Sequence, residues 1–302
     1  MSRRVFVTGA TGYLGGAIAA RLARSGYEVR GLVRDLGRAS TIAAAGVEPV
    51  VGDLGALEGL LAELETGDAV VHAAYDASDP PRLDQRALEA FRTAAQEGRI
   101  RRLLYTSGIW VHGDTGGRVV DESSPLDPAQ TVRWRPAHEE IALGLASQGV
   151  QALVLRPAMV YGRAGGTLGD WFREACEKGT VHYPGDGRQR WGMVHVDDVA
   201  EAYRLAFEQG PRDERYLLAD ESRFTVRELA EAAARAAGAR AQSVDATEVR
   251  RTLAGTAQLM DQQFSAAKAR RELGWAPRHT SFVDEAETLY REWLACRGAT
   301  VQ

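Results

Sequence analysis

Lysine is almost missing from this chain of 302 residues: Lys178 and Lys268 are the only two, so nearly all of the basic charge is arginine. Any chemistry that needs an ammonium at a fixed offset from another side chain must therefore use one of these two or do without. Cysteine is just as sparse. Cys176 and Cys296 stand far apart with no metal-ligand spacing, which argues against a disulfide framework and fits reduced thiols in the cytoplasm. No apolar run approaches the ~18 residues of a membrane span, and Val5-Phe6-Val7 near the start is too short for a signal segment. A formal charge of -4 leaves no basic footprint for nucleic acid or an anionic membrane. The histidines show no metal spacing either, since His138-Glu139-Glu140 lacks the second histidine of a zinc helix. The expectation is a soluble cytoplasmic protein with no metal, no nucleic-acid partner and no membrane partner.

What is present is apolar material for a sizeable core, at 45% hydrophobic and 26% charged residues. Up to about residue 160, short β-branched runs alternate with amphipathic stretches, the pattern of βαβ units around a parallel sheet. The strands expected are Arg4–Thr8, Val29–Val33, Val47–Val51, Ala69–Ala73, Arg102–Ser107 and Ala152–Arg156. Helical spacing covers Gly16–Ser25, Leu54–Leu64, Leu83–Gly98 and Pro136–Ser147 between them. Strands that are apolar almost throughout imply burial on both faces, hence an α/β fold with a doubly wound parallel sheet. Glycines and aromatics then crowd Tyr161–Trp191. Helical patterns resume at Val196–Glu208, Thr225–Gly238, Ala246–Leu253, Ser265–Leu273 and Phe282–Leu294, with Thr225 and Glu228 spaced as a capping box. We expect a first domain over 1–160, helped by about 190–220, and a small, mostly helical lobe over 161–302 that binds the substrate.

The first strand runs into Thr8-Gly9-Ala10-Thr11-Gly12-Tyr13-Leu14-Gly15, and a helix opens there. Glycine serves many ordinary turns, but after a strand and before a helix this spacing has a mechanism. Gly9 permits the turn, Gly12 lets the backbone approach a pyrophosphate, and Gly15 lets the helix pack close to the strand. The helix N-terminus then offers unpaired N–H groups and positive dipole to phosphate. After the second strand stand Arg34, Asp35 and Arg38. A guanidinium there suits a ribose 2′-phosphate, which favours NADP over NAD, while Asp35 keeps NAD open.

The TGxxGxxG loop resembles that of the extended and atypical short-chain dehydrogenase/reductases, a group that includes NAD-dependent epimerases and dehydratases on a Rossmann fold. The likeness continues in order through Asp53-Leu54, the fourth-strand end His72-Ala73-Ala74, Arg156-Pro157-Ala158-Met159-Val160-Tyr161-Gly162, Val194-His195-Val196-Asp197-Asp198-Val199-Ala200 and Leu273-Gly274-Trp275-Ala276-Pro277. The resemblance implies a cofactor site formed by Gly9, Thr11, Gly12, Tyr13, Leu14, Gly15, Arg34, Asp53, Leu54, Ala73, Ala74, Thr106, His138, Pro157 and Val160. It also implies a homodimer, with Leu88, Phe91, Ile141 and Leu145 on two helices meeting their two-fold mates.

The chemistry of that family rests on a Tyr, a Lys four residues later and a Ser/Thr hydroxyl. None of the nine tyrosines here has that Lys, because Glu174 and Phe264 precede the two lysines at that spacing. Placed before the helical pattern at Pro136–Ser147, Trp134 stands where the Tyr would and His138 where the Lys would. An indole N–H donates a hydrogen bond without transferring its proton, whereas an imidazole can be a general acid or base. The alternative for His138 is a local pairing with Glu139 or Glu140. Tyr105-Thr106-Ser107-Gly108-Ile109-Trp110-Val111-His112-Gly113 resembles the family's SSxxVYG, so Ser107 is the candidate hydroxyl and His112 replaces the Tyr of that motif. Tyr75, just past the fourth strand, is a further candidate acid. His195 reads as structural. Three functions stay open: an oxidoreductase acting on a carbonyl or hydroxyl of a small molecule; a lyase, isomerase or epimerase with retained cofactor; and an NADP-sensing binding protein.

Overall fold

A computed structural model of the chain describes residues 3–62, 64, 68–163, 165–211 and 213–299. Its centre is a seven-stranded sheet: β1 (Arg4–Thr8), β2 (Glu28–Val33), β3 (Val47–Val51), β4 (Asp68–His72), β5 (Ile100–Thr106), β6 (Gln151–Pro157) and β7 (Glu214–Leu218). They lie in the order β7-β6-β5-β4-β1-β2-β3, and every pair is parallel. The chain leaves β1 towards β2 and β3, then returns to place β4 on the opposite side of β1. The switch point of the doubly wound sheet is therefore the gap between β1 and β4, where such folds bind ligands.

Side-chain alternation along each strand divides the core. Val5 and Val7 join one apolar cluster with Val29, Val33 and Val71, while Phe6 joins another with Leu32, Val70 and Leu103. The first face is covered by α1 (Tyr13–Arg24) and the helix Val196–Gln209, the second by the helices Pro80–Gln96 and Arg135–Gly144. All six expected strands form, within two residues of the expected ends. β7 falls within the contribution expected from 190–220.

Beyond Pro157 a third cluster gathers Tyr161, Trp171, Phe172, Trp191, Phe282 and Trp293. The stretch crowded with glycines and aromatics contains the helix Gly166–Lys178 and the strand Thr180–Pro184, which pairs in parallel with Arg240–Val244. The capping box forms as its spacing predicts: Thr225 Oγ1 accepts from the Glu228 N–H, and a Glu228 carboxylate oxygen accepts from the Thr225 N–H. The helix expected over Ala246–Leu253 is broken. Thr252 starts a new one, Leu253–Gln258, by accepting the Gly255 N–H at its hydroxyl. The expected helix Leu54–Leu64 is ordered over Leu57–Ala62, and residue 63 lies outside the described residues.

Three of the four residues expected at a two-fold interface require correction. Leu88, Phe91 and Leu145 are already buried within the chain, packed on the sheet through Leu103, Tyr105 and Val154, while Ile141 is half-buried against the same cluster. The outward face of Pro80–Gln96 carries Arg82, Arg86, Glu89 and Arg92. The amphipathic pattern does signal burial, but the covering surface is the chain's own sheet. Among the described residues, no helix is long and apolar enough to cross a membrane.

Candidate functional site

The loop from β1 to α1 is built by close backbone approach. Gly9 has φ +75°, in the left-handed region that favours glycine, and a Cβ there would stand 2.7 Å from the Ala73 carbonyl oxygen. A Cβ on Gly15 would stand 2.2 Å from the Gly9 oxygen, so this glycine lets the first turn of α1 sit on the loop. Gly12 differs. Its nearest neighbour would be the Gly9 oxygen at 3.2 Å, with nothing else within reach. Gly12 caps α1 with no side-chain acceptor, and no acidic residue stands in the first turn. The free N–H groups and positive end of the dipole are thus left for an anion from outside.

This loop walls a cavity of about 280 Å³ at the switch point. Gly9, Thr11, Gly12, Tyr13, Leu14 and Gly15 form one side of it. Asp53, Leu54, Ala73 and Ala74 form another, and Arg34 with Arg38 stands at one end. Arg34 is 3.7 Å from Asp76 and largely exposed, so its guanidinium is held only loosely. Asp53 uses one carboxylate oxygen to accept the N–H groups of Gly55 and Ala56, which shapes the turn after β3. The phenol of Tyr13 points away from the loop and donates to the Gly162 carbonyl at 2.8 Å. Burial raises its pKa, so the phenol stays protonated, and the ring packs against Gly165 and Gly166.

A second cavity of about 300 Å³ adjoins the first, and Tyr75 lines both. Ser107, Thr131, Arg135 and Pro157 line it together with an apolar wall that includes Ile109, Trp110 and Met159. The hydroxyls Ser107 Oγ and Thr131 Oγ1 are buried and have no hydrogen-bond partner. A buried orphan hydroxyl costs roughly 1–3 kcal/mol, which a ligand oxygen would recover. Arg135 donates from Nη1 to the Thr106 carbonyl at 2.9 Å, and its guanidinium lies 4.6 Å over the Trp134 ring. Among the described residues it is the one charged group lining this cavity.

Three residues expected to be catalytic lie outside both cavities. Trp134 donates its indole N–H to the Thr131 carbonyl at 3.2 Å. His138 is buried, with Nδ1 2.6 Å from Asp84 Oδ2, rather than paired with Glu139 or Glu140. Asp84 also accepts from Tyr105 at 2.7 Å and from His72 Nε2 at 3.2 Å, while His72 Nδ1 meets the Thr8 hydroxyl at 2.7 Å. Burial alone would raise the Asp84 carboxyl, but the hydrogen bonds from His138 and His72 outweigh it and hold the group well below its usual range. This chain of contacts runs from the end of β1 to the helix that carries Arg135, and it fixes the distance between them. His112 is buried too, and its Nε2 accepts from Arg156 Nη1 at 3.1 Å. Burial, with the Arg156 charge, lowers its pKa to about 4, so it is neutral near pH 7. Of the remaining expected cofactor residues, Thr106 bonds the Tyr203 hydroxyl at 2.6 Å, and neither it nor Val160 is among the residues lining these two cavities.

Sequence reasoning missed Thr131, Arg135 and Asp84. The signal for the first two was available: they stand four residues apart, as the family's Tyr and Lys do. Away from the cavities, His195, Asp198 and His279 come within 4.8 Å of one another. His195 Nδ1 accepts from the Asp197 N–H and Asp198 accepts from the Arg278 and His279 N–H groups, while His195 Nε2 is buried without a hydrogen-bond partner. His195 keeps its structural reading.

Residues 5–219 match the NAD dependent epimerase/dehydratase family, and the chain belongs to it. It is an NAD(P)-dependent enzyme, for its relatives are reductases, dehydratases and epimerases. A 4-hydroxy-2-methyl-3-oxo-4-farnesyl-3,4-dihydroquinoline-1-oxide ketoreductase of Stigmatella aurantiaca is 32% identical over 72% of this chain and 68% of its own. A 3-diazoavenalumate denitrifying reductase from a Streptomyces species is 30% identical over 93% of this chain and 98% of its own. Among solved structures, the dTDP-glucose 4,6-dehydratase DesIV of Streptomyces venezuelae, with NAD bound, superposes with a TM-score of 0.84. It is 22% identical over 98% of each chain, a likeness of fold.

Proposed function

We propose that the protein is an NADP(H)-dependent reductase of a small carbonyl compound, acting without the Tyr-Lys pair. The observation that carries this reading is the pair of cavities that meet at Tyr75: one has free helix N–H groups and two arginines, the other two orphan hydroxyls and one guanidinium. Gly9, Thr11, Gly12, Leu14 and Gly15 would hold the pyrophosphate, Asp53, Leu54, Ala73 and Ala74 the adenosine side, and Arg34 with Arg38 a 2′-phosphate. Bound there, the reduced dinucleotide supplies the two electrons of a carbonyl reduction.

The chain's own groups do the rest. Ser107 and Thr131 orient the substrate oxygen, and the Arg135 cation offsets the negative charge that develops on it, in a setting where apolar walls strengthen electrostatics. Tyr75 is the O–H donor at the junction. His138 and His112 act through position, the first by tying the Arg135 helix to Asp84 and the second by its contact with Arg156. A lyase that eliminates across a carbon–carbon bond must remove a proton from carbon and needs a base. Among the described residues lining the second cavity there is no carboxylate, imidazole or lysine, which favours the reductase reading over the lyase. The domain division at about 160 belongs to the same reading and is supported by the separate apolar cluster from Tyr161 to Trp293. So does a cytoplasmic location, supported by the sparseness of cysteine and the exposure of both Cys176 and Cys296.

The test is to follow NADPH consumption with a panel of small aldehydes and ketones. Consumption with at least one of them is expected. A cofactor that copurifies, does not exchange and is never consumed would favour an epimerase instead.

A further inference from the structure

The second cavity has more to say about its ligand than that it carries an oxygen. Its wall is apolar through Ile109, Trp110, Val132 and Met159, and its volume of about 300 Å³ is at the lower end for small-molecule sites. One of the few large exposed apolar side chains belongs to it: Tyr75, at 62% exposure. Exposed apolar side chains around a concave apolar surface mark a place where a ligand completes the burial. Of the polar groups in its lining, Ser107 Oγ and Thr131 Oγ1 have no protein partner, and Arg135 spends one N–H on Thr106 with its flat face on Trp134. A few polar groups with unused hydrogen-bonding capacity thus stand in an otherwise mostly apolar hollow.

Resting on the reductase reading above, we infer that this cavity binds an aromatic carbonyl compound, with the ring against the Trp110 and Met159 wall and the oxygen held by Ser107, Thr131 and Arg135. A nucleotide-linked sugar does not fit the same arrangement. Its diphosphate would bring two negative charges to a wall whose single guanidinium already donates to a backbone carbonyl, and burying such charge without a partner is costly.

Benzoate and benzaldehyde are suitable probes, because the first is an unreactive mimic and its binding can be read without turnover. Both are titrated by tryptophan fluorescence and calorimetry, with and without NADP⁺, and UDP-glucose is titrated in parallel. Benzoate and benzaldehyde should bind and UDP-glucose should not. Arg135→Gln should weaken benzoate by about tenfold or more, the loss expected for a charged hydrogen-bond pair, and Arg135→Lys should lose less. Ser107→Ala and Thr131→Val should each weaken it by roughly a few-fold. Thermal melts show that each variant is folded. Failure of both aromatic probes, tighter binding of UDP-glucose, or equal benzoate affinity in folded Arg135→Gln would overturn the inference. Normal NADP⁺ binding beside such a failure would leave the reductase reading standing. Benzoate binding that depends on Arg135 without any NADP⁺ binding would do the reverse.

Discussion

Gly12 and Gly15 are three residues apart in one loop, and alanine at each should fail in opposite ways. At Gly15 the new methyl would lie 2.2 Å from the Gly9 carbonyl oxygen and 2.8 Å from its carbon. Both atoms are backbone, in a loop already fixed against Ala73, so α1 must shift. Overpacking of this kind costs typically about 1–3 kcal/mol. At Gly12 the backbone is extended, with φ −80° and ψ 167°, which any residue adopts, and the closest contact would be 3.2 Å. Replacing a glycine helix cap by alanine costs about 1 kcal/mol or less. The methyl would instead occupy the open face of the loop, where a pyrophosphate must approach the N–H groups. Gly12→Ala should therefore unfold at nearly the native urea midpoint yet lose about tenfold or more in NADPH affinity. Gly15→Ala should lose stability first. Urea unfolding followed by circular dichroism, with an NADPH fluorescence titration, separates the two. Native-like cofactor affinity in Gly12→Ala would refute the assignment of the phosphate face, and a fully stable Gly15→Ala would refute the packing argument.

Stability should fall as pH drops from about 6.5 towards 4. Burial, helped by Arg156 for His112 and by His279 for His195, lowers both histidines to about 4, so each is neutral in the fold and takes up a proton on unfolding. Between pH 7 and 5 that amounts to about 2 kcal/mol per histidine, and a urea midpoint that does not move over this range would contradict it. Arg34→Ala should weaken NADPH far more than NADH, because only the former carries a 2′-phosphate; equal losses would reassign Arg34 to the surface pair with Asp76. His138→Gln should lower stability by about 1–3 kcal/mol through its lost contact with Asp84, while turnover keeps its pH dependence. A flattened pH profile in that variant would return His138 to a catalytic role.

What can be read in the sequence is whatever is local. The glycine spacing of 9–15 depends on one strand, one turn and one helix, and each is visible in adjacent residues. β1 and β4 are legible because burial on both faces makes their central residues apolar without alternation, as the consecutive buried pair Val70 and Val71 shows, whereas the edge strand β3 is exposed at Glu48 and Val51 and is marked by its β-branched residues. β7 is five residues long and begins Glu214-Arg215, so only its neighbourhood is anticipated. The register of the proposed site differs by three residues from the one expected because Thr131 sits in a short 3₁₀ turn, Gln130–Val132, that has no periodicity of its own. A pattern keyed to Tyr and Lys also finds neither residue there. The partner of His138 is Asp84, 54 residues earlier in the chain, and only the packing of two helices brings them together. Leu88 and Phe91 show the same limit, since an amphipathic helix declares which side is covered without saying by what.

The proposed binding of NADP(H) in the cavity between β1 and β4 is read directly by calorimetric titration of the purified protein with NADPH and, separately, NADH. NADPH should bind to one site per chain and more tightly than NADH by about tenfold or more, the worth of a charged contact to the 2′-phosphate. Tighter binding of NADH, or no binding of either, would contradict it.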